Sequence, residues 1–183
     1  MAQEHPSWQV KGEAILPELI ALMGITAEDQ QLLAGLAAQA AEQAPRLTDT
    51  FYARLFAHPH TADYLQQVSL DRLHAMVAQW FVELFSGQYD TDYARKRLNI
   101  GQVHVRIGLP VRYPLAMLDV VMPFGEELAR QSPAPEQAAR AFRKLLALDV
   151  AIFNQAYEDN QLSHLTELVG GERLARLLLA GNA

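Results

Sequence analysis

Almost every stretch of this chain repeats its apolar side chains at helical spacing, and none alternates apolar and polar residues long enough to form a half-buried strand. The fold class is therefore all-α. Capping residues mark helix starts. Thr26 precedes an Ala- and Leu-rich run with Asp29 three residues on, Ser69 opens another run, and Pro45 suits a first helical position. Gly87, Gly108, Pro110 and Pro133-Ala134-Pro135 read as breaks. These signals predict helices over 13–23, 27–43, 46–57, 70–86, 91–107, 114–131 and 135–165. His58-Pro59-His60 falls in a short irregular stretch, and Gly170-Gly171 separates a last segment over 172–179.

At 183 residues, half of them apolar, the chain suits one domain with a sizeable core. The expected organisation is a flexible N-terminus over 1–12, a domain over 13–165 and a C-terminal extension over 166–183. The net charge of −6 comes from 21 acidic against 15 basic side chains without a basic block, which argues against a nucleic-acid partner. The chain has no cysteine, so disulfides, thiolate-ligated haem, iron–sulfur clusters and thiol catalysis are excluded, and histidine is the natural soft-metal ligand. Residues 1–10 lack the pattern of a signal peptide, and no run is long enough to cross a bilayer, so a cytoplasmic protein without a membrane partner is expected.

His104 is the residue that most needs an explanation. On its helix it shares a side with Tyr93, Arg97, Ile100, Val103 and Ile107, in apolar surroundings that end at Gly108 and Pro110. On these residues alone it reads either as a hydrogen-bonded core histidine, the commoner case, or as an iron ligand.

The order of the surrounding residues adds to that reading. The string from Asp92 through Arg97-Leu98-Asn99-Ile100-Gly101-Gln102-Val103-His104-Val105-Arg106-Ile107-Gly108-Leu109-Pro110 resembles the proximal-histidine region of globin-coupled sensor globins, whose histidine binds haem iron. Upstream, Phe51-Tyr52-Ala53-Arg54-Leu55 is similar to that family's Phe-Tyr, whose hydroxyl faces the gas bound to iron. Asp71-Arg72-Leu73-His74-Ala75-Met76 through Phe85-Ser86-Gly87 resembles its distal helix and closing turn. The resemblance spans residues 15–160 in order.

It implies a globin fold, a helical sandwich around haem with an extra N-terminal helix and a long C-terminal helix. It implies haem b held at the iron by His104, with Tyr52 donating a hydrogen bond to bound O2, and CO and NO as further ligands; on the residues alone Tyr52 reads as a buried tyrosine whose hydroxyl bonds a backbone carbonyl. Leu73 and Met76 would stand over the iron and Ile100 and Ile107 beside His104, while His74 would point towards the haem edge or solvent. Of Arg97 and Arg106, either one reaches a propionate or both are solvated or salt-bridged surface groups. Tyr113 falls where some members place a tryptophan; the short Gly108-Leu109-Pro110 form resembles members coupled to diguanylate cyclases. Leu165-Thr166-Glu167-Leu168 loosely resembles the entry to such a cyclase, although Val169-Gly170-Gly171 departs from its pattern and no catalytic motif follows.

The function implied is a haem-based oxygen sensor domain, not itself an enzyme, that acts as a homodimer through the helices over 114–131 and 135–165. Two other readings stay open from sequence: a stand-alone haem globin with nitric oxide dioxygenase or peroxidase-like activity, and a haem-free helical module in which His104 is only a core residue.

Overall fold

A computed structural model describes residues 5–66 and 68–181. Ten α-helices and three short 3-10 turns account for their regular structure, and there is no strand among the described residues. The helices are α1 (Ile15–Met23), α2 (Ala27–Ala34), α3 (Ala37–Phe56), α4 (Pro59–Ala62) and α5 (Leu70–Glu83), then α6 (Thr91–Arg106), α7 (Arg112–Ala116), α8 (Leu118–Ala129), α9 (Pro135–Val169) and α10 (Glu172–Leu179).

The caps act as their residue types suggest. Thr26 and Asp29 close a reciprocal capping box on α2, and Ser69 accepts from the backbone N–H of Arg72 at the start of α5. Asp90, which the sequence reading passed over, caps α6 by accepting from Tyr93 N–H at 3.0 Å.

Several boundaries differ from expectation. The helix expected over 27–43 breaks at Gly35-Leu36, where Leu36 leaves helical geometry and is buried. Pro45 does not begin a helix but lies inside α3. It sits on an exposed side, so the carbonyl of Ala41 that it leaves without a donor faces solvent, while Ala40 and Ala44 pack inward. His58-Pro59-His60 joins one helical turn, pinned by the Thr61 hydroxyl donating to the His58 carbonyl at 2.9 Å. The helix expected over 114–131 divides at the buried Met117 into α7 and α8, although Met117 keeps helical dihedrals. α9 runs one turn past the expected end, to a left-handed Gly170 (φ 77°).

The N-terminal stretch carries local structure. Residues 1–4 lie outside the described residues, but within 5–12, expected to be flexible, Pro6–Gln9 forms a 3-10 turn. Lys11 pairs with Glu172 at 2.5 Å and Arg176 covers the Trp8 ring at 5.2 Å, which seats the segment on α10.

α9 is the spine. α1, α2, α6, α8 and α10 all pack on it, and α3 packs on α5 and α8. Neighbours cover several sides of its first half, so Phe142, Leu145, Leu146 and Leu148 are essentially inaccessible, while Gln137, Arg140 and Arg143 keep one side exposed. Burying each such side chain contributes about 1.5–3 kcal/mol. Phe142 stacks on Phe85 at 5.5 Å and occupies the space that a side chain at Gly125 would need, so α8 and α9 cross closely.

Candidate functional site

α5 packs on α3 and α6 on α9, so these two consecutive helices belong to different layers. They meet at one end, where Glu83 of α5 pairs with Lys96 at 2.7 Å and with Arg97 of α6. Apolar side chains of both helices are uncovered: Met76 of α5 is 49% exposed, and Val103 and Ile107 flanking His104 are 40% and 49% exposed. These two faces are the candidate site.

On the α6 face, His104 Nδ1 lies 2.7 Å from the carbonyl oxygen of Ile100, one turn earlier. A carbonyl can only accept, so Nδ1 carries the proton and Nε2 keeps a bare lone pair. Burial pushes the imidazole below its ordinary 6.5, outweighing the opposing carbonyl bond, so the neutral, ligating form prevails. The ring meets Phe153 of α9 edge to face at 5.3 Å.

On the α3–α5 face, the buried Tyr52 hydroxyl donates to the carbonyl of Leu73 at 2.9 Å. His74 stacks on its ring at 4.8 Å and lies 3.6 Å from Asp49. Burial raises the phenol well above 10, so Tyr52 stays a donor. Leu73 is buried beneath it and Met76 lies one turn on, exposed.

Arg97, Arg106 and Tyr113 have other surroundings. Arg97 is 1% exposed and donates to Asp149 and Glu83 while lying over Tyr93 at 4.2 Å, so it does not reach out to a propionate as expected. The reason is that Asp149 of α9, buried in an apolar stretch, needs a counter-charge. Arg106 is exposed. Tyr113 lies beside Arg112 and 6.2 Å from His58, at a cavity of about 430 Å³ that Pro59, His60 and Tyr64 also line.

The sequence reading missed the polar junction at Asp149, which accepts from Trp80 Nε1 of α5 at 2.9 Å and from the Tyr93 hydroxyl of α6 at 2.7 Å, joining three helices. Its signal was an aspartate inside Leu145-Leu146-Ala147-Leu148-Asp149-Val150-Ala151-Ile152-Phe153. It also missed two tyrosines that hold the turn after α6: Tyr64 donates to the Gly108 carbonyl at 3.2 Å and Tyr157 to the Leu109 carbonyl at 3.0 Å.

No group of three or more histidine, cysteine or carboxylate side chains is placed to hold a metal ion among the described residues. One neutral imidazole between exposed apolar side chains would suit a haem, whose macrocycle supplies further donors to the iron. The residues fit that group.

The sequence matches the Protoglobin family over residues 13–163. It is 32% identical over 153 residues to the "Heme-based aerotactic transducer HemAT" of Halobacterium salinarum, covering 71% of this chain and 31% of that protein. The chain thus spans about a third of that relative's length. The globin domain of a Geobacter sulfurreducens globin-coupled sensor superposes with a TM-score of 0.73 at 33% identity, covering 78% of this chain and 97% of the other. The chain belongs to the Protoglobin family and is a globin domain of the globin-coupled sensor type.

Proposed function

We propose that this domain is a haem-based gas sensor that binds haem b through His104 Nε2, takes O2, CO or NO reversibly at ferrous iron, and passes its ligand state on through a homodimer. The observation that carries the reading is His104 itself: neutral, with Nδ1 bound to the Ile100 carbonyl, which leaves the Nε2 lone pair for a metal, and with the exposed apolar Val103 and Ile107 beside it. When bound, haem supplies the iron at which a diatomic gas is held.

The chain's own residues supply the rest. The Ile100 carbonyl fixes the tautomer and orientation of His104 and strengthens its basicity. Met76, Val103 and Ile107 exclude water and match a flat apolar plate. Tyr52 holds a proton on the α3–α5 face that can leave the Leu73 carbonyl for a partly negative oxygen atom, a transfer that favours O2 over the less polar CO. Tyr113 and Arg112, at the corner cavity, would meet solvent-facing parts of the group.

An apolar groove between α8 and α9, lined by Leu115, Leu118, Met122, Leu146 and Val150, supports self-association through these helices. The short Gly108-Leu109-Pro110 turn supports a signalling output of the diguanylate cyclase class. No helix among the described residues is long and apolar enough to cross a membrane, and the reading includes a cytoplasmic location.

Visible spectra of the wild type and His104→Ala, with haem added, test this in ferric, ferrous, O2-bound and CO-bound forms. The expected result is a stoichiometric Soret band that shifts with each gas and is lost or altered in the variant. A wild type that takes up no haem overturns the reading.

A further inference from the structure

Two consecutive residues of α5 grip Tyr52. Leu73 presents its backbone carbonyl to the hydroxyl at 2.9 Å, and His74 lays its imidazole flat on the phenol ring, with centroids 4.8 Å apart and planes 9° from parallel. His74 Nδ1 in turn faces Asp49 Oδ1 at 3.6 Å, and Asp49 stands on α3 just under one turn before Tyr52. Asp49, His74 and Tyr52 therefore close a triangle across the α3–α5 contact. The ring of Phe51 adds an edge-to-face contact to the Tyr52 ring at 5.6 Å.

Tyr52 is buried, whereas the His74 side chain is 36% exposed and Asp49 more so. His74 is thus not a filler of the core. Its contact is with one face of one ring, and that face belongs to the residue that holds the buried hydroxyl.

A phenol oxygen lies on the long axis of its ring, so turning the ring about that axis leaves the oxygen in place and only a sideways swing of the whole ring moves it. The stacked imidazole blocks that swing on the face it covers. The hydroxyl hydrogen still rotates about the C–O bond. Tyr52 can then change acceptor by turning its hydrogen away from the Leu73 carbonyl while its oxygen stays fixed, so little ordering is left to be done when a ligand arrives.

We infer that His74 is a positioning residue for Tyr52: its stacked imidazole fixes the place of the phenol oxygen from which a hydrogen bond reaches bound O2. This role rests on the haem reading above and adds a residue that acts on the gas only through Tyr52.

Stopped-flow O2 release from the ferrous, haem-loaded chain tests it in wild type, His74→Ala, His74→Phe, Tyr52→Phe and the double variant of Tyr52→Phe with His74→Ala. Losing the stacked ring should speed release about threefold, in keeping with the loss of one aromatic pair. His74→Phe, which restores a flat ring without a nitrogen, should return the rate to that of wild type. In the Tyr52→Phe background, removing His74 should add nothing. A second readout is nuclear magnetic resonance of the tyrosine-labelled, CO-bound ferrous chain: the two edges of the Tyr52 ring should exchange faster in His74→Ala and at the wild-type rate in His74→Phe. Haem content should be the same in all five chains.

Effects of His74→Ala and Tyr52→Phe that add overturn the inference, because a merely structural His74, or one that donates to the gas itself, would act without Tyr52. So do a His74→Ala chain with wild-type O2 release or unchanged ring exchange, a His74→Phe chain that is not restored, and a His74→Ala chain that loses haem. Each of these leaves haem binding by the wild type standing, whereas a wild type that takes up no haem overturns the sensor reading and this inference with it.

Discussion

The hydroxyl of Tyr52 and the carbonyl of Leu73 are joined at 2.9 Å across the α3–α5 interface, so this buried donor has a backbone partner. A gas bound as proposed above would compete for that hydrogen bond. Tyr52→Phe should therefore cost about 1 kcal/mol of stability, read as a lower urea midpoint. It should also speed O2 release about tenfold, because the lost bond to the ligand is worth roughly 1.4 kcal/mol. Stopped-flow O2 release unchanged from wild type would leave Tyr52 with the Leu73 bond as its only partner.

Gly101→Ala places a methyl group against the Phe153 carbonyl and Ala156. Ala is the better helix former by about 1 kcal/mol, but overpacking of this kind costs about 1–3 kcal/mol, and the neighbour here is rigid backbone, so destabilisation should prevail. Thermal melts of the two chains decide the sign. Gly35→Ala is the control, since a Cβ at Gly35 meets only ordinary contacts.

Asp149→Ala should be among the most damaging single substitutions, at about 3–5 kcal/mol, because it strands the Arg97 guanidinium in the interior with Glu83 as its remaining partner. Urea unfolding with an unchanged slope and a lower midpoint is the expected record. Substituting the exposed Asp92, whose pairing with Arg95 is solvated, should change the midpoint little.

Burial alone would raise the pKa of Glu83, but hydrogen bonds from Lys96 and Arg97 outweigh it and hold the carboxyl below its ordinary 4.5. The folded chain binds that proton more weakly than the unfolded one. The stabilisation from Glu83 is thus complete above pH 4.5 and fades as pH falls through the depressed folded value. Melting temperatures followed from about pH 6 to about pH 3 should fall less steeply in Glu83→Gln than in wild type.

The all-α class was legible because helical periodicity is a property of neighbouring residues, and so were the Thr26 and Ser69 caps. His104 and Tyr52 stood out by sequence order; the structure sets His104 Nδ1 against the Ile100 carbonyl and the Tyr52 hydroxyl on the Leu73 carbonyl. Arg97 misled, because a cation beside a ligand histidine reads as a propionate partner until its long-range neighbours are known; Asp149, its partner, lies 52 residues away. Pro45 misled because a proline's tolerance inside a helix depends on which side faces solvent, which only packing decides. The roles of Tyr64 and Tyr157 were invisible for a related reason: both bind backbone carbonyls, which carry no sequence signature.

The two tryptophans of the chain stand at opposite stations, Trp80 bonded to Asp149 where three helices join and Trp8 beneath Arg176 where the N-terminal turn meets α10. Ultraviolet emission from this chain is therefore a sum of two separable gauges. With Trp80→Phe, the remaining fluorescence follows the seating of the last helix against the first turn; with Trp8→Phe, it follows the polarity of the helix junction. Optical titration of the two variants would report, without any attached label, whether the end of the chain loosens while its interior holds.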